Sequence, residues 1–454
     1  MHHKEYMEET MDMSVRNHVA EDFASRDEVR AIQARKLIRL GERLQHSEVW
    51  KKHFRSAGVS ALDLTGLDVL SNFPMLEKID LRAMYPFPML TVELDKVMRF
   101  TATSGTTGLP VLFGFTAKDW RETVVKQLCR IFRTVGIVPG DRVYQGYGYG
   151  LWVGGSSMDE AIQTYGAVNF PIGPGRSDLM PTWIRDHAYD ATTMSPLWLM
   201  TLITHAHKVG VNPRKDWKLR VGLFGGQSVS TAFRDQMEAM MPDGFMAHNI
   251  YGSTEAGGPI VGISCEHSHA ADEMHLINDD SVLTEIIDPV SFRPVGPGEV
   301  GELVLTTLDK EASPVVRWRT RDLVRLSDHP YGCPCGRHGF PLVGRIIGRS
   351  DDMMKVRGVM VFPSQIEDVI ASQHGTVKEA WQVYIDSQDG SMDQIEVAFE
   401  RANQASLCAT SLEGELKSLL RARLGLTCTV KCYEEGQLPR YEGKATRVVK
   451  RQKS

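Results

Sequence analysis

The residues most able to do chemistry in this sequence are hydroxyls spaced between glycines, carboxylates and cations in short Gly-bracketed turns, and cysteines in loops. Thr101-Ala-Thr-Ser-Gly-Thr-Thr-Gly-Leu-Pro110 is the first kind. Its glycines allow a tight turn, so that backbone N–H groups and side-chain hydroxyls converge on phosphate oxygens. The Gly-Lys-Ser/Thr ending of a Walker A loop is absent. Tyr251-Gly-Ser-Thr-Glu-Ala-Gly-Gly-Pro259 sets Thr254 beside Glu255. A threonine can bond a phosphate oxygen while the adjacent carboxylate holds Mg²⁺, a cation commonly shared between carboxylates and nucleotide phosphates. In Arg319-Thr-Arg-Asp322, expected to follow a strand, Asp322 offers two oxygens to a pair of ribose hydroxyls. Gly348-Arg-Ser-Asp-Asp352 and Glu442-Gly-Lys444 add Arg349 and Lys444. Taken singly, each has an ordinary explanation: Asp322 as partner of Arg321, Lys444 as a solvated lysine.

Elements must hold these turns. Ser25-Arg-Asp-Glu28 reads as a capping box, followed by Val29, Ile32, Leu37, Leu40 and Leu44 at helical spacing. From residue 99 to about 261, short apolar runs (143–144, 167–171, 219–224) alternate with helical patterns (120–135, 196–208, 231–241). That alternation predicts parallel strands with crossover helices, a doubly wound α/β core. Between 286 and 324 the pattern changes to short strands at 284–287, 294–301, 302–306 and 315–317, a β-rich subdomain. Beyond residue 349 an alternating strand at 395–399 and a helix capped at Thr410 predict a small α+β domain. The expected division is a core of residues 1–349, with the β-rich part over about 265–349, and a C-terminal lid of residues 350–454.

Composition sets the class. The 454 residues carry 52 Lys+Arg against 57 Asp+Glu, a net charge of -5, which argues against a basic nucleic-acid binder. At 42% hydrophobic and 24% charged the chain reads as globular. No uncharged apolar run reaches the roughly 18 residues of a membrane span. The N-terminus lacks a secretory apolar region, so a cytoplasmic location is expected, with neither nucleic acid nor membrane as partner. Seven cysteines are too few for a disulfide scaffold. Cys333-Pro-Cys335-Gly in a loop, with Cys265 and several histidines upstream, instead suggests tetrahedral Zn²⁺, with His267 and His269 among the candidate nitrogen ligands.

In order and content the motifs resemble those of the acyl-adenylate-forming superfamily, and within it the phenylacetate–CoA ligase family. The resemblance runs from about residue 29 to 449, through SGTTGLP (104–110), YGYGLWVGG (147–155), YGSTEAGGP (251–259), RWRTRDL (317–323), GRSDDMMKVRGVMVFPSQIE (348–367) and LPRYEGKATRV (438–448). It implies an ATP-dependent ligase. A carboxylate attacks the α-phosphate of ATP, pyrophosphate leaves, and the thiol of coenzyme A then displaces AMP from the acyl-adenylate. By similarity Ser104, Gly105, Thr106, Thr107 and Gly108 would cradle the pyrophosphate. Thr254 would meet the α-phosphate, Glu255 would hold Mg²⁺, Asp322 the ribose, and Arg345 and Arg349 would face the phosphates. Gly225, Gly226, Gln227, Asn249, Tyr251 and Gly252 complete the implied nucleotide site. Lys444 would bridge the attacking carboxylate and the nucleotide, delivered by a lid that turns about a hinge at Asp351.

The same resemblance places Tyr147, Gly148, Tyr149 and Trp152 along an acyl pocket, where rings beside glycines make a slot for an aromatic or arylacetic acid. A zinc-bearing branch of the family implies Cys265, His275, Cys333 and Cys335 as the ligands of a structural Zn²⁺, and the family suggests a homodimer. Two departures stand out. Gly108-Leu-Pro110 replaces the usual Gly-Lys-Pro, removing a positive charge, and Gly225-Gly-Gln227 replaces Gly-Ala-Glu, exchanging a carboxylate for an amide. The first-step motifs are shared by relatives that pass the acyl or AMP group to an amine, a hydroxyl or a carrier-protein thiol. They would also survive in a nucleotide-binding protein that had lost catalysis.

Overall fold

The computed structural model describes residues 20–87, 89–103, 110–226, 229–351, 354–356, 359–387, 394–440 and 447–452. Its centre is an eight-stranded sheet. In spatial order the strands are Val168–Pro171, Arg142–Gln145, Ala191–Met194, Val221–Phe224, Met246–Ser253, Gly258–Ile263, Glu273–His275 and Leu342–Gly344. The first five run parallel and the last three extend the sheet antiparallel. Successive side chains of a strand point to opposite faces, and each face here has its own core. Val143, Val221 and Leu223 enter one apolar cluster, while Tyr144 and Phe224 enter the other. Ala191–Met194 and Val221–Phe224 are buried throughout, as strands covered on both faces must be. The crossover helices Val153–Tyr165, Pro196–Lys208 and Thr231–Ala239 supply the cover.

A four-stranded antiparallel sheet follows: Val282–Ile287, Val300–Thr307, Trp318–Arg325 and the short strand Gly348–Arg349. The chain ends in a smaller α/β unit. Its strands, in spatial order, are Thr429–Glu434, Gln394–Arg401, Thr376–Ser387 and Val448–Gln452, packed with helices Pro363–Ser372 and Ala409–Leu424 around a separate core. The mixed α/β class expected from the alternating pattern is therefore observed. Among the described residues no helix is long and apolar enough to cross a membrane.

Local differences have local causes. The Ser25 box forms as read, with Glu28 N–H donating to Ser25 Oγ at 3.3 Å and Ser25 N–H to Glu28 Oε2 at 2.7 Å. The expected strand at 315–317 does not form. Arg317 turns to φ 50° and its guanidinium bonds Glu285 and the carbonyls of Ser71 and Phe73, so the strand begins at Trp318. Arg319–Asp322 thus lies within a strand instead of after one. Most of 294–301 is a turn held by Glu299, whose Oε2 accepts from Gly296 N–H at 2.7 Å. The helix at 120–135 is a π-helical segment, Asp119–Val125, running into the α-helix Lys126–Thr134. The C-terminal helix takes Cys408 as its N-cap, which moves Thr410 into the first turn.

Candidate functional site

The hairpin that carries Thr254 and Glu255 joins the last parallel strand, Met246–Ser253, to the first antiparallel one, Gly258–Ile263. Gly257 and Gly258 take φ 105° and 121°, and a Cβ on Gly258 would lie 2.9 Å from Val153, so the turn can close only with glycine there. Thr254 and Glu255 are half-buried in it. Among the described residues neither side chain has a hydrogen-bonded or ion-paired partner, which leaves a hydroxyl and a carboxylate available to a phosphate and a hard cation.

Beside this turn, Tyr251 donates its hydroxyl to Asp322 Oδ2 at 2.7 Å. Burial, helped by the Asp322 charge, pushes the Tyr251 phenol far above its ordinary pKa, so it remains a donor. Asp322 stands directly opposite Arg349 in the ladder between Trp318–Arg325 and Gly348–Arg349, and Arg349 Nη1 reaches Asp322 Oδ1 at 3.5 Å. Each carboxylate oxygen has a second lone-pair direction, so Asp322 can still accept from a pair of vicinal hydroxyls. Arg349 also pairs with Asp351 in fork geometry at 2.9 and 3.0 Å, tying the predicted hinge residue to the same cluster.

Gly225 and Gly226 follow the buried strand Val221–Phe224. A Cβ on Gly225 would sit 2.8 Å from Ile250 Cγ2 and 3.2 Å from the Tyr147 hydroxyl, so this edge approaches the 147 loop closely. Tyr147 donates to Leu223 O at 3.3 Å, and burial raises its phenol well above the usual range. The other pocket candidates are not gathered around it. Gly148 is half-buried, while Tyr149 and Trp152 are 39% and 47% exposed, so the four do not form one closed aromatic slot.

Arg345 departs from its reading as a phosphate-facing cation. It pairs with Asp272 at 3.1 Å and with Asp368 of the C-terminal unit at 2.5 Å, leaving Arg349 as the arginine that meets Asp322. Asn249 lines a small polar cavity with Arg234, His269, Asp272 and Arg345, and Gly252 is exposed. Ser104, Gly105, Thr106, Thr107, Gly108, Leu109, Gln227 and Lys444 lie outside the described residues.

Away from this cluster, Cys265, His275, Cys333 and Cys335 bring one ligand atom each to within 4.8 Å of one another. Cys265 and Cys333 sulfurs are 3.6 Å apart, and Cys335 Sγ lies 3.3 Å from His275 Nε2. Zn–S bonds of about 2.3 Å at the tetrahedral angle put two sulfurs about 3.8 Å apart, so the spacing fits that ion. The hydrogen bond from Cys335 pulls the Cys265 thiol down in pKa and raises Cys335 in turn. His267 instead faces Glu266, and His269 bonds Glu238 Oε1 at 2.8 Å. His275 sits on a strand and not in a loop, so its imidazole is fixed by the sheet.

Comparison with known proteins shows the family. The family model of the AMP-binding enzyme matches residues 20–307, and that of the AMP-binding enzyme C-terminal domain matches residues 358–452. A phenylacetate-coenzyme A ligase of Aromatoleum evansii is 36% identical over 94% of this chain and 96% of its own length. One of Escherichia coli K12 is 34% identical over 94% and 96%. The chain belongs to the phenylacetate–CoA ligase family of AMP-binding enzymes. Among solved structures, 2-hydroxyisobutyryl-CoA ligase in its postadenylation state, in complex with 2-HIB-AMP, overlays with a TM-score of 0.86 at 25% identity, covering 94% of this chain and 91% of that one. The same ligase in its thioesterification state gives 0.68.

One buried charge was not legible in the sequence. Lys310 lies in a Leu-Asp-Lys-Glu-Ala stretch that reads as an exposed turn. The structure buries it behind the 254–257 hairpin, its ammonium over the rings of Phe113 and Phe115 and without a hydrogen-bond partner among the described residues. Burial pushes its pKa down to about 8, against the pull of Asp119 and Glu255. The unfolded chain, with a lysine pKa of about 10.4, therefore binds more protons between about pH 8 and 10, and stability rises with pH in that window. Relative to Lys310→Met, the wild type should gain about 1.4 kcal/mol per pH unit there. Denaturant midpoints of both proteins at about pH 7.5 and 9.5 check this; a gap that does not change with pH would exclude a depressed lysine.

Proposed function

We propose that the protein is an AMP-forming acid–CoA ligase: it activates a carboxylic acid as an acyl-adenylate, releases pyrophosphate, and passes the acyl group to the thiol of coenzyme A. The observation that carries this reading is the Tyr251–Asp322–Arg349 cluster beside Thr254 and Glu255, whose side chains have no partner among the described residues, in a chain of this family. The chemistry requires it. A carboxylate repels nucleophiles and lacks a leaving group, and both half-reactions build charge on oxygens, so donors fixed in advance supply the catalysis. Asp322 would hold the ribose, with Tyr251 fixing its orientation. Thr254 would donate to the α-phosphate and Arg349 would offset its charge. Glu255 is suited to hold Mg²⁺, which when bound neutralises phosphate charge. Lys444 would act on the attacking carboxylate during adenylation.

An aromatic or arylacetic acid is the favoured substrate. Curated relatives at 34–36% identity are phenylacetate-coenzyme A ligases, whereas the 2-hydroxyisobutyryl ligase is 25% identical. The half-buried Tyr147 ring offers an apolar wall with its hydroxyl already engaged, as aromatic acyl groups favour. The reading includes residues 350–454 as a lid turning near Asp351 and a homodimer, both carried over from the family resemblance, and a cytoplasmic location, carried over from the sequence reading. Cys265, His275, Cys333 and Cys335 would hold a structural Zn²⁺. It would cross-link the segment at 265 and the strand at 273–275 to the loop at 333–335, distant in sequence from both, with no part in catalysis.

Two measurements follow. In a screen of aromatic and aliphatic acids, pyrophosphate release should require an arylacetic or aromatic acid and rise further with CoA. Acid-dependent release indifferent to CoA would point to an amine, hydroxyl or carrier-protein acceptor, and no release with any acid would point to a binding protein without catalysis. Elemental analysis of purified protein should find close to one zinc per chain, falling by more than half in Cys333→Ser; less than about a tenth of an equivalent in the wild type would remove the zinc assignment.

A further inference from the structure

The segment that carries Lys444 is flanked by two arginines, Arg440 and Arg447, and both are anchored on one irregular stretch of the C-terminal sheet. On the first side, the Glu400 side chain is fully buried on strand Gln394–Arg401. Its carboxylate accepts four bonds from the residues leading to the lysine. Gly436 N–H and Leu438 N–H donate at 2.9 and 2.5 Å, and the Arg440 guanidinium donates from both terminal nitrogens at 2.9 and 2.6 Å. On the second side, Arg447 donates to the carbonyls of Glu379 and Trp381, each at 3.0 Å, and lies 4.7 Å from the Trp381 ring centre.

The sheet is built to receive both. Val377 pairs with Glu400 and Trp381 with Phe399, so residues 378–380 form a bulge in the ladder. A bulge leaves residues out of the regular pairing and re-aims them, and here Glu379 O is one of the two carbonyls that take Arg447. Glu400 sits directly across from the bulge. A buried carboxylate is costly unless charge-paired and fully hydrogen-bonded, and Glu400 meets both conditions with residues 436–440. Its bonds hold a Gly-Gln-Leu-Pro-Arg stretch with no regular secondary structure of its own.

We infer that Glu400 is a positioning residue for adenylation: through Arg440 and the 436 and 438 amides it fixes the stretch of chain that leads to Lys444. This rests on the role of Lys444 proposed above. Displacing a catalytic group by about 1 Å costs up to ~100-fold in rate. The loss should fall on the step that uses Lys444, and on kcat more than on the KM for ATP, because the contact matters in the transition state.

The test separates the half-reactions in the full-length enzyme. Arg440→Met and Glu400→Gln should each slow acid-dependent ATP–pyrophosphate exchange by about 10- to 100-fold, while thiolysis of supplied acyl-adenylate falls less than about threefold. Arg440→Lys, which keeps the charge but not the fork, should recover part of the loss seen with Arg440→Met. Arg440 is half-exposed, so its variants keep the test open where Glu400→Gln fails to fold. An equal fall in both half-reactions, or full exchange activity in Arg440→Met, would overturn the proposal. Lys444→Ala run in parallel distinguishes the two levels. If it abolishes exchange while Arg440→Met does not, only the positioning role fails. If it leaves exchange intact, the role of Lys444 fails and the positioning role with it.

Discussion

Asp322 gives one carboxylate oxygen to the Tyr251 hydroxyl and turns the other toward Arg349, and both contacts follow from strand register. Asp322 and Arg349 face each other because Gly348–Arg349 adds to the edge of Trp318–Arg325 with that pairing. Tyr251 reaches them because the last parallel strand of the central sheet ends beside that edge. A one-residue slip would send Asp322 to the other face and dissolve the cluster. The same arginine bonds Asp351, so the carboxylate suited to grip a ribose is two bonds away from the residue proposed as hinge. The nucleotide site and the connection to the C-terminal unit share one piece of ladder.

Glycines hold the remaining pieces close. A side chain at Gly155 would put Cβ 2.2 Å from Gly148 O, so helix Val153–Tyr165 can seat against the 147–148 segment only without one. Gly348 packs its bare Cα against Phe362, where a Cβ would lie 2.9 Å from the ring, drawing the strand of Arg349 onto the start of the C-terminal unit. Arg345, bridging Asp272 and Asp368, spans the same junction with charge. Its energetic worth is modest while its partners stay part-exposed, but its fork fixes geometry.

What was legible in the sequence was local or strongly typed. The Ser25 box, the alternation of short apolar runs with helical patterns, and the cysteine and histidine types of the metal cluster all depend on residues read over short spans, and the family motifs carried the function. What was not legible depended on partners far away in the chain. By residue type alone His275 could not be told from His267 and His269; the family resemblance picked it, and the sheet sets it beside Cys335. Arg345 looked like a phosphate ligand because Asp272 and Asp368, 73 residues before it and 23 after, gave no local sign of pairing. Arg317 kept the expected strand at 315–317 from forming because Glu285 and two carbonyls captured its guanidinium. Trp152 reads as a pocket residue by motif, yet its side chain stands exposed at a helix N-cap.

The central claim, that Asp322 as held by Tyr251 and Arg349 grips the ribose of an adenine nucleotide, is tested most directly by calorimetric binding of AMP and its 2′- and 3′-deoxy analogues to the wild type and to Asp322→Asn. A carboxylate accepting two hydroxyls predicts that the wild type binds AMP about 10-fold or more tighter than either deoxy analogue, since a bond to a charged group is worth roughly 1.5–3 kcal/mol. The preference should shrink in Asp322→Asn. Equal affinity of the wild type for all three nucleotides would contradict the account.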